Sequence, residues 1–162
     1  MKQIVIICGE NELRCRQILE LISKEKKNIE IVKQITTSNV NKFGYQVVAC
    51  SEFWDMAEQG EFFEIIGSND GYYGIPHINK ENIHDQYMVV GAEIATSIKK
   101  RYPKCITIYV LPEEKLGSFK INSNYQEAKK LDFLVVDNDL ITTTKKIEEI
   151  VSFIEENGMK SS

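Results

Sequence analysis

Short apolar runs alternate with amphipathic stretches along the chain, and the alternation predicts its elements. Lys2 to Cys8 is a continuous, β-branched run of the length of a buried parallel strand. Residues 9–12, Gly-Glu-Asn-Glu, break it. Leu13, Ile18, Leu19, Leu21 and Ile22 then fall at helical spacing, and Lys24 to Lys27 with Asn28 close that helix. Ile29 to Ile35 reads as a second strand, so the first 35 residues form a strand–helix–strand unit with a right-handed crossover. Thr36 to Gly44 is polar and loop-like. Tyr45 to Ala49 is a short strand, and Ser51 to Gly60 a helix with Ser51 as its N-cap and Gly60 just past its end.

Phe62, Phe63, Ile65 and Ile66 form an apolar run interrupted by Glu64. The turn residues Gly67 to Gly71 follow, then Tyr72, Tyr73 and Gly74, which together predict a hairpin. Pro76 to Asp85 is irregular or a short helix. Tyr87 to Val90 is a strand, and Gly91 to Tyr102 a helix closed by Lys99, Lys100, Arg101 and Pro103. Cys105 to Leu111 is a buried strand, Pro112 to Asn124 a polar connector, Tyr125 to Leu131 a short helix and Phe133 to Val136 a strand. Thr142 to Glu156 is a long helix with Ile147, Ile150, Val151 and Ile154 on one face, followed by a frayed tail, Gly158 to Ser162. The expected fold is α/β: a mostly parallel sheet flanked by helices, with a small antiparallel subdomain inserted after the second strand. At 162 residues it is expected to be a single domain, with a core of about 1–35 and 87–157 and an insert of about 36–86.

Composition narrows the function. A 43% hydrophobic and 27% charged chain is an ordinary globular one. A net charge of −4 argues against nucleic acid and anionic membranes as partners. No apolar run approaches the roughly 20 residues that span a bilayer. The opening residues read as a strand and not as a secretory leader, and Cys8, Cys15, Cys50 and Cys105 form no metal-ligand pattern. The expectation is a cytoplasmic protein with reduced thiols and no bound metal. The basic residues are nearly all lysine. Only Arg14, Arg16 and Arg101 offer the guanidinium fork that grips phosphate.

The hairpin holds the candidate chemistry. A carboxylate in an apolar run, opposite a pair of tyrosines and beside a glycine that lets a ligand approach the backbone, suits a polar planar ligand; an ordinary amphipathic hairpin explains the same pattern. The sequence around it resembles guanylate kinase and the guanylate-kinase-like domains. Residues 60–64, Gly-Glu-Phe-Phe-Glu, and 71–76, Gly-Tyr-Tyr-Gly-Ile-Pro, are similar to the family's G-E-F-x-E and G-N-Y-Y-G-T-P. Residues 97–103, Ser-Ile-Lys-Lys-Arg-Tyr-Pro, and 106–112, Ile-Thr-Ile-Tyr-Val-Leu-Pro, look like its helix end and following strand. Residues 134–140, Leu-Val-Val-Asp-Asn-Asp-Leu, resemble V-V-N-D-D-L before its last helix.

The resemblance implies a site for GMP and one for ATP with Mg²⁺, and the chain departs from it at both. The family's G-x-x-G-x-G-K-[ST] loop holds phosphates on backbone N–H groups and a lysine. Here only Gly9 remains. Cys15 stands at the lysine, Arg16 at the Mg²⁺-binding hydroxyl, and Glu10 and Glu12 place negative charge where a triphosphate lies. The family's T-T-R-x-x-R has become Thr36, Thr37, Ser38, Asn39, Val40 and Asn41, without either arginine. Ile75 replaces the threonine after Tyr-Tyr-Gly, Glu93 is offset from an acidic position, and the lid is reduced to Glu113 to Asn124 without an arginine.

What the resemblance leaves is a GMP-like site of Tyr45, Glu64, Tyr73, Thr37 and Ser38, with Glu64 facing a guanine edge and the tyrosines a phosphate. It also leaves a degenerate phosphate loop of Gly9, Arg14, Cys15 and Arg16. For Arg14 and Arg16 the bland reading is a solvated first helical turn, for Cys15 a neutral filler, and for Trp54 and Met56 subdomain core. His77 is read as a surface histidine or one aimed at the site, and Asp137 to Asp139 as a strand end and helix cap. The resulting expectation is a catalytically impaired guanylate-kinase-like protein that binds a nucleotide-like or phosphorylated ligand, or a protein segment, and needs no cofactor. The alternatives are a divergent GMP kinase using ATP and Mg²⁺ through Arg14 or Arg16, and a structural or regulatory subunit with no pocket ligand.

Overall fold

The computed structural model describes residues 2–40, 42–79, 81–121 and 125–158. The tail beyond Gly158, Asn41 of the polar loop, and residues 122–124 of the connector lie outside them. The order is β1 (Ile4–Gly9), α1 (Glu12–Glu25), β2 (Ile29–Ile31), β3 (Gln34–Thr36), β4 (Tyr45–Val47), α2 (Cys50–Glu58), β5 (Phe62–Ser68), β6 (Gly71–Pro76), β7 (Asp85–Val89), α3 (Ala92–Arg101), β8 (Ile106–Pro112), a 3-10 helix (Glu113–Ile121), α4 (Tyr125–Ala128), β9 (Phe133–Asp137) and α5 (Leu140–Asn157). Two compact units form. One comprises residues 1–30 and 84–162, the other 31–83.

The larger unit is built on a five-stranded sheet ordered β2-β7-β1-β8-β9. β1 lies parallel to β7 and to β8, and β8 parallel to β9. The continuous apolar runs are its central strands: Val5, Ile6, Ile7 and Cys8 of β1 and Ile106, Ile108 and Tyr109 of β8 are fully buried. A strand covered on both faces has no polar side to alternate with, which is why these runs are unbroken. α1 packs against α5, and α3 against β1 and β8.

The lysine-rich end of α3 serves this packing. Lys99 Nζ donates to the Cys105 carbonyl at 2.6 Å and to Asp132 Oδ2 at 2.8 Å, and the same carboxylate oxygen accepts from the N–H and hydroxyl of Thr107, each at 2.9 Å. One half-buried carboxylate thus ties the end of α3 to the starts of β8 and β9. Asp132→Ala is expected to cost about 2–3 kcal/mol, because it removes the Lys99 ion pair and leaves the Thr107 N–H without its partner; a urea midpoint equal to wild type would remove this role.

A second polar contact predicts a pH dependence. Glu148 of α5 is pushed up to about 7, first by burial and then by its hydrogen bond and charge contact with Glu25 of α1. A carboxyl raised in the folded state contributes stability that is full below its ordinary value near 4.5 and is lost as pH rises through about 7. Both groups keep solvent contact, so the loss between pH 5 and pH 8 is on the order of 1 kcal/mol. Urea titrations at the two pH values should show that loss shrinking in Glu148→Gln, and an unchanged loss would contradict the assignment.

The smaller unit is a four-stranded sheet ordered β4-β3-β6-β5. It is mixed and not wholly antiparallel: β3 pairs β4 in parallel and β6 in antiparallel, and β5 pairs β6 antiparallel. Ile35, Val48 and Phe53 form its core, with Met56 and Phe62 packed against them. The expected strand from Ile29 to Ile35 divides. β2 joins the larger sheet and β3 the smaller, a change of sheet that an apolar run does not reveal. Ser51 is not the N-cap of α2. Ala49 takes that position with no side-chain hydrogen bond, while Gly60 does take the left-handed conformation (φ 74°) just past the helix.

Candidate functional site

The degenerate phosphate loop lies in the larger unit, and it is barely a loop. β1 ends at Gly9 and α1 begins at Glu12, so only Glu10 and Asn11 separate them. Asn11 is the N-cap. Its Oδ1 accepts the N–H of Arg14 at 3.1 Å and its carbonyl accepts the N–H of Cys15 at 3.1 Å. A phosphate cradle needs successive N–H groups pointing inward from an extended turn. Here the chain enters the helix before such a turn forms, and Asn11 already takes the N–H groups of Arg14 and Cys15.

The side chains complete the closure. Arg14 Nε lies 3.2 Å from Asp137 Oδ2, and Arg16 Nη1 2.9 Å from Glu12 Oε1, with the Arg16 side chain only 8% exposed. Neither arginine forms the solvated face expected of a first turn; each turns onto a carboxylate. Cys15 is buried, and its thiol is pushed up to about 12, chiefly by desolvation and then by Glu12. It is a neutral filler, not a reactive thiolate. Asp137 also accepts from the Thr143 hydroxyl at 3.0 Å, and Asp139 caps α5 by accepting the Thr142 N–H at 3.0 Å. Gly9 has a packing reason to be glycine: a Cβ there would come 2.5 Å from the Val110 carbonyl oxygen of β8. These residues do not fit ATP with Mg²⁺. The Arg14 and Cys15 N–H groups are bonded to Asn11, the lysine position is an uncharged thiol, and the metal-ligand position is a buried guanidinium. No group of three or more His, Cys, Asp or Glu side chains among the described residues could hold a metal ion.

The connector after β8 carries a 3-10 helix. Its Phe119 ring stacks at a tilt on Tyr109 of β8 (centroids 5.5 Å apart) and meets Tyr125 edge-on (5.4 Å). Glu93 sits exposed in the first turn of α3.

The GMP-like residues lie in the smaller unit, and the strand register sorts them. Gln34 is paired with Tyr45 and Thr36 with Val47; Thr36 is paired with Tyr73, and Ile66 with Tyr73. Paired residues share a sheet face and residues two apart share it along a strand. Tyr45, Tyr73, Ile66 and Glu64 therefore occupy one face. The Tyr45 and Tyr73 rings meet edge-on with centroids 5.7 Å apart. Glu64 is exposed, and its carboxylate makes no hydrogen bond or ion pair with another described residue.

Thr37 and Ser38 divide in role. Thr37 and Tyr72 exchange hydrogen bonds: the Thr37 N–H donates to the Tyr72 carbonyl at 3.1 Å, and the Tyr72 N–H to Thr37 Oγ1 at 3.0 Å. The Ser38 hydroxyl donates to Asp70 Oδ2 at 2.8 Å, and the Tyr73 phenol donates to the same oxygen at 2.8 Å. Asp70 is the site residue that sequence reasoning missed. It lies in a cluster of turn formers, where an aspartate needs no further explanation.

Three smaller expectations change. Gly74 does not open the backbone to a ligand, because the Phe62 ring lies over it; a Cβ there would come 2.6 Å from that ring. Trp54 is not core: it is 42% exposed and meets the exposed Tyr72 edge-on at 5.0 Å, while its neighbour Phe53 fills the interior. His77 is exposed and lies edge-on to Phe63, 6.1 Å between centroids.

No protein-family model matches the chain, and among the described residues no helix is long and apolar enough to cross a membrane. The chain is 24% identical over 179 residues to a guanylate kinase of Prochlorococcus marinus subsp. pastoris, covering 93% of this chain and 97% of that one. It is 26% identical over 177 residues to a guanylate kinase of Clostridioides difficile, covering 92% and 86%. Its fold matches the crystal structure of guanylate kinase from Anaplasma phagocytophilum with a TM-score of 0.69 at 19% identity, over 99% of this chain and 88% of the other. The chain is distantly homologous, over nearly its whole length, to several bacterial guanylate kinases and has a guanylate-kinase-like α/β fold.

Proposed function

We propose that this guanylate-kinase-like protein does not transfer phosphate from ATP and acts by binding. The face carrying Tyr45, Glu64 and Tyr73 is its ligand site. The observation that carries the first half is the two-residue junction between β1 and α1, with Arg14 and Arg16 held by Asp137 and Glu12. Phosphoryl transfer depends almost wholly on positioning and charge stabilisation of the phosphates. A two-residue junction with a buried guanidinium and a neutral thiol supplies neither.

What supports the second half is Glu64, an exposed carboxylate on the same sheet face as the Tyr45 and Tyr73 rings. It suits a planar group presenting paired N–H donors, such as a guanine edge. Titration calorimetry with guanosine is expected to show binding to the wild type, weakened at least ten-fold in Glu64→Gln, and no heat with ATP and Mg²⁺. Binding of ATP with Mg²⁺, or guanosine affinity indifferent to Glu64→Gln, would overturn it. A protein segment is a second reading, favoured by the exposed Trp54–Tyr72 pair. Trp54 is the chain's only tryptophan, so its fluorescence shifts to the blue if a segment covers it and stays put if guanosine is the ligand.

A further inference from the structure

Two hydroxyls converge on one anionic oxygen in the smaller unit. Ser38 Oγ and Tyr73 Oη each donate to Asp70 Oδ2 at 2.8 Å. The donors are set in place by backbone bonds that do not involve Asp70. Thr36 and Tyr73 are paired across β3 and β6. Thr37 and Tyr72 exchange two hydrogen bonds, the Thr36 hydroxyl donates to the Tyr72 carbonyl at 2.9 Å, and the Ser38 N–H is held by Thr36 Oγ1 at 3.0 Å. The carboxylate arrives separately, on the turn between β5 and β6. Fixed hydroxyls aimed at a single oxygen are what a phosphate or other oxyanion requires, and charge-assisted bonds of this length are the strong ones. Here the oxyanion belongs to the chain.

We propose that Asp70 determines the specificity of the Tyr45–Glu64–Tyr73 face: it occupies the oxyanion position at Ser38 and Tyr73, so the face takes an unphosphorylated ligand and rejects a phosphorylated one. The proposal rests on the reading that this face binds a ligand. The hydrogen bonds from Ser38, Tyr73 and Ser68 hold the Asp70 carboxyl down at about 2, so it stays charged at any physiological pH. An incoming phosphate finds both hydroxyls engaged. It also meets the negative charge of Asp70 at the oxygen where its own would sit, and like charges a few ångströms apart repel even when partly screened. An uncharged guanosine meets no such repulsion, because it brings no oxyanion to the Ser38 and Tyr73 hydroxyls.

The test is calorimetry at pH 7 with guanosine and with GMP, a pair that differs by the phosphate alone. It uses wild type, Asp70→Ala, Asp70→Asn, and Asp70→Ala combined with Ser38→Ala. Asp70→Asn keeps the size of the turn residue while removing its charge, which guards against a collapse of the hairpin in Asp70→Ala. The wild type is expected to bind guanosine at least ten-fold more tightly than GMP. Both single variants should gain at least ten-fold for GMP with little change for guanosine. Inorganic phosphate should compete with GMP in Asp70→Ala, and the added Ser38→Ala should cancel the gain. If guanosine binds while GMP affinity is the same in the wild type and both single variants, the role of Asp70 is overturned and the ligand face stands. If no variant binds guanosine or GMP, both fall together.

Discussion

Phe53→Ala is expected to destabilise the inserted unit by about 3–5 kcal/mol, the range for removing a buried phenylalanine. Phe53 is fully buried and packs with the buried Ile35 and Val48 and the partly buried Met56 and Phe62. Its ring stacks at a tilt on Phe62 with centroids 4.8 Å apart and meets Trp54 edge-on at 5.3 Å. Few apolar groups share the load, so the cavity left behind has little to collapse into. Amide hydrogen exchange is the appropriate probe. Residues 31–83 should lose protection while β1 and β8 of the other unit keep theirs. Equal loss in both units, or none, would contradict the assignment of a separate core to the insert. Guanosine binding at Tyr45, Glu64 and Tyr73 should fail with it, since α2 and the sheet share that core.

Gly9→Ala is the second large effect, and it separates two reasons for one glycine. In a phosphate loop the glycine serves the ligand, and alanine would change binding with little effect on the free protein. Here a Cβ would sit 2.5 Å from the Val110 carbonyl oxygen, a backbone atom in the middle of the buried sheet. Neither β1 nor β8 has room to shift, because β1 is paired on both edges. Overpacking of this kind costs about 3 kcal/mol, which corresponds to about 10 °C in Tm for a chain of this size. A Gly9→Ala protein that melts with the wild type would show that the close approach to Val110 is not a constraint.

The fold was legible where sequence pattern and local chemistry agree. The unbroken apolar runs of β1 and β8 could only be strands covered on both faces, and the lysines before Pro103 mark the end of α3 through their bond to Asp132. The insert was harder. Its strands are three to seven residues long, and β2 and β3 follow each other so closely that one apolar run spans a change of sheet. Phe53 and Trp54 are adjacent, and only the direction of α2 decides which of the two is buried.

The site was legible in composition and not in contacts. Glu10, Glu12, Cys15 and Arg16 stand where the family's loop carries glycines, a lysine and a hydroxyl, and that departure is visible in the sequence itself. The fate of the arginines depends on Asp137, more than a hundred residues away, and the solvated face expected for Arg14 and Arg16 fails for that reason. Asp70 was hidden by its own suitability for a turn. Its hydrogen bonds to Ser38 and Tyr73 arise only when β3 and β6 pair, and no local pattern encodes that pairing.

The central claim is that the junction between β1 and α1 no longer supports phosphoryl transfer. The most direct measurement is ADP formation from ATP, Mg²⁺ and GMP in a coupled assay at high protein concentration. The predicted result is a rate equal to that of the buffer and unchanged in Arg14→Ala and Arg16→Ala. ADP formation above background that is lost when either arginine is replaced would contradict it, because a guanidinium now held by Asp137 or Glu12 would then be gripping the phosphates instead.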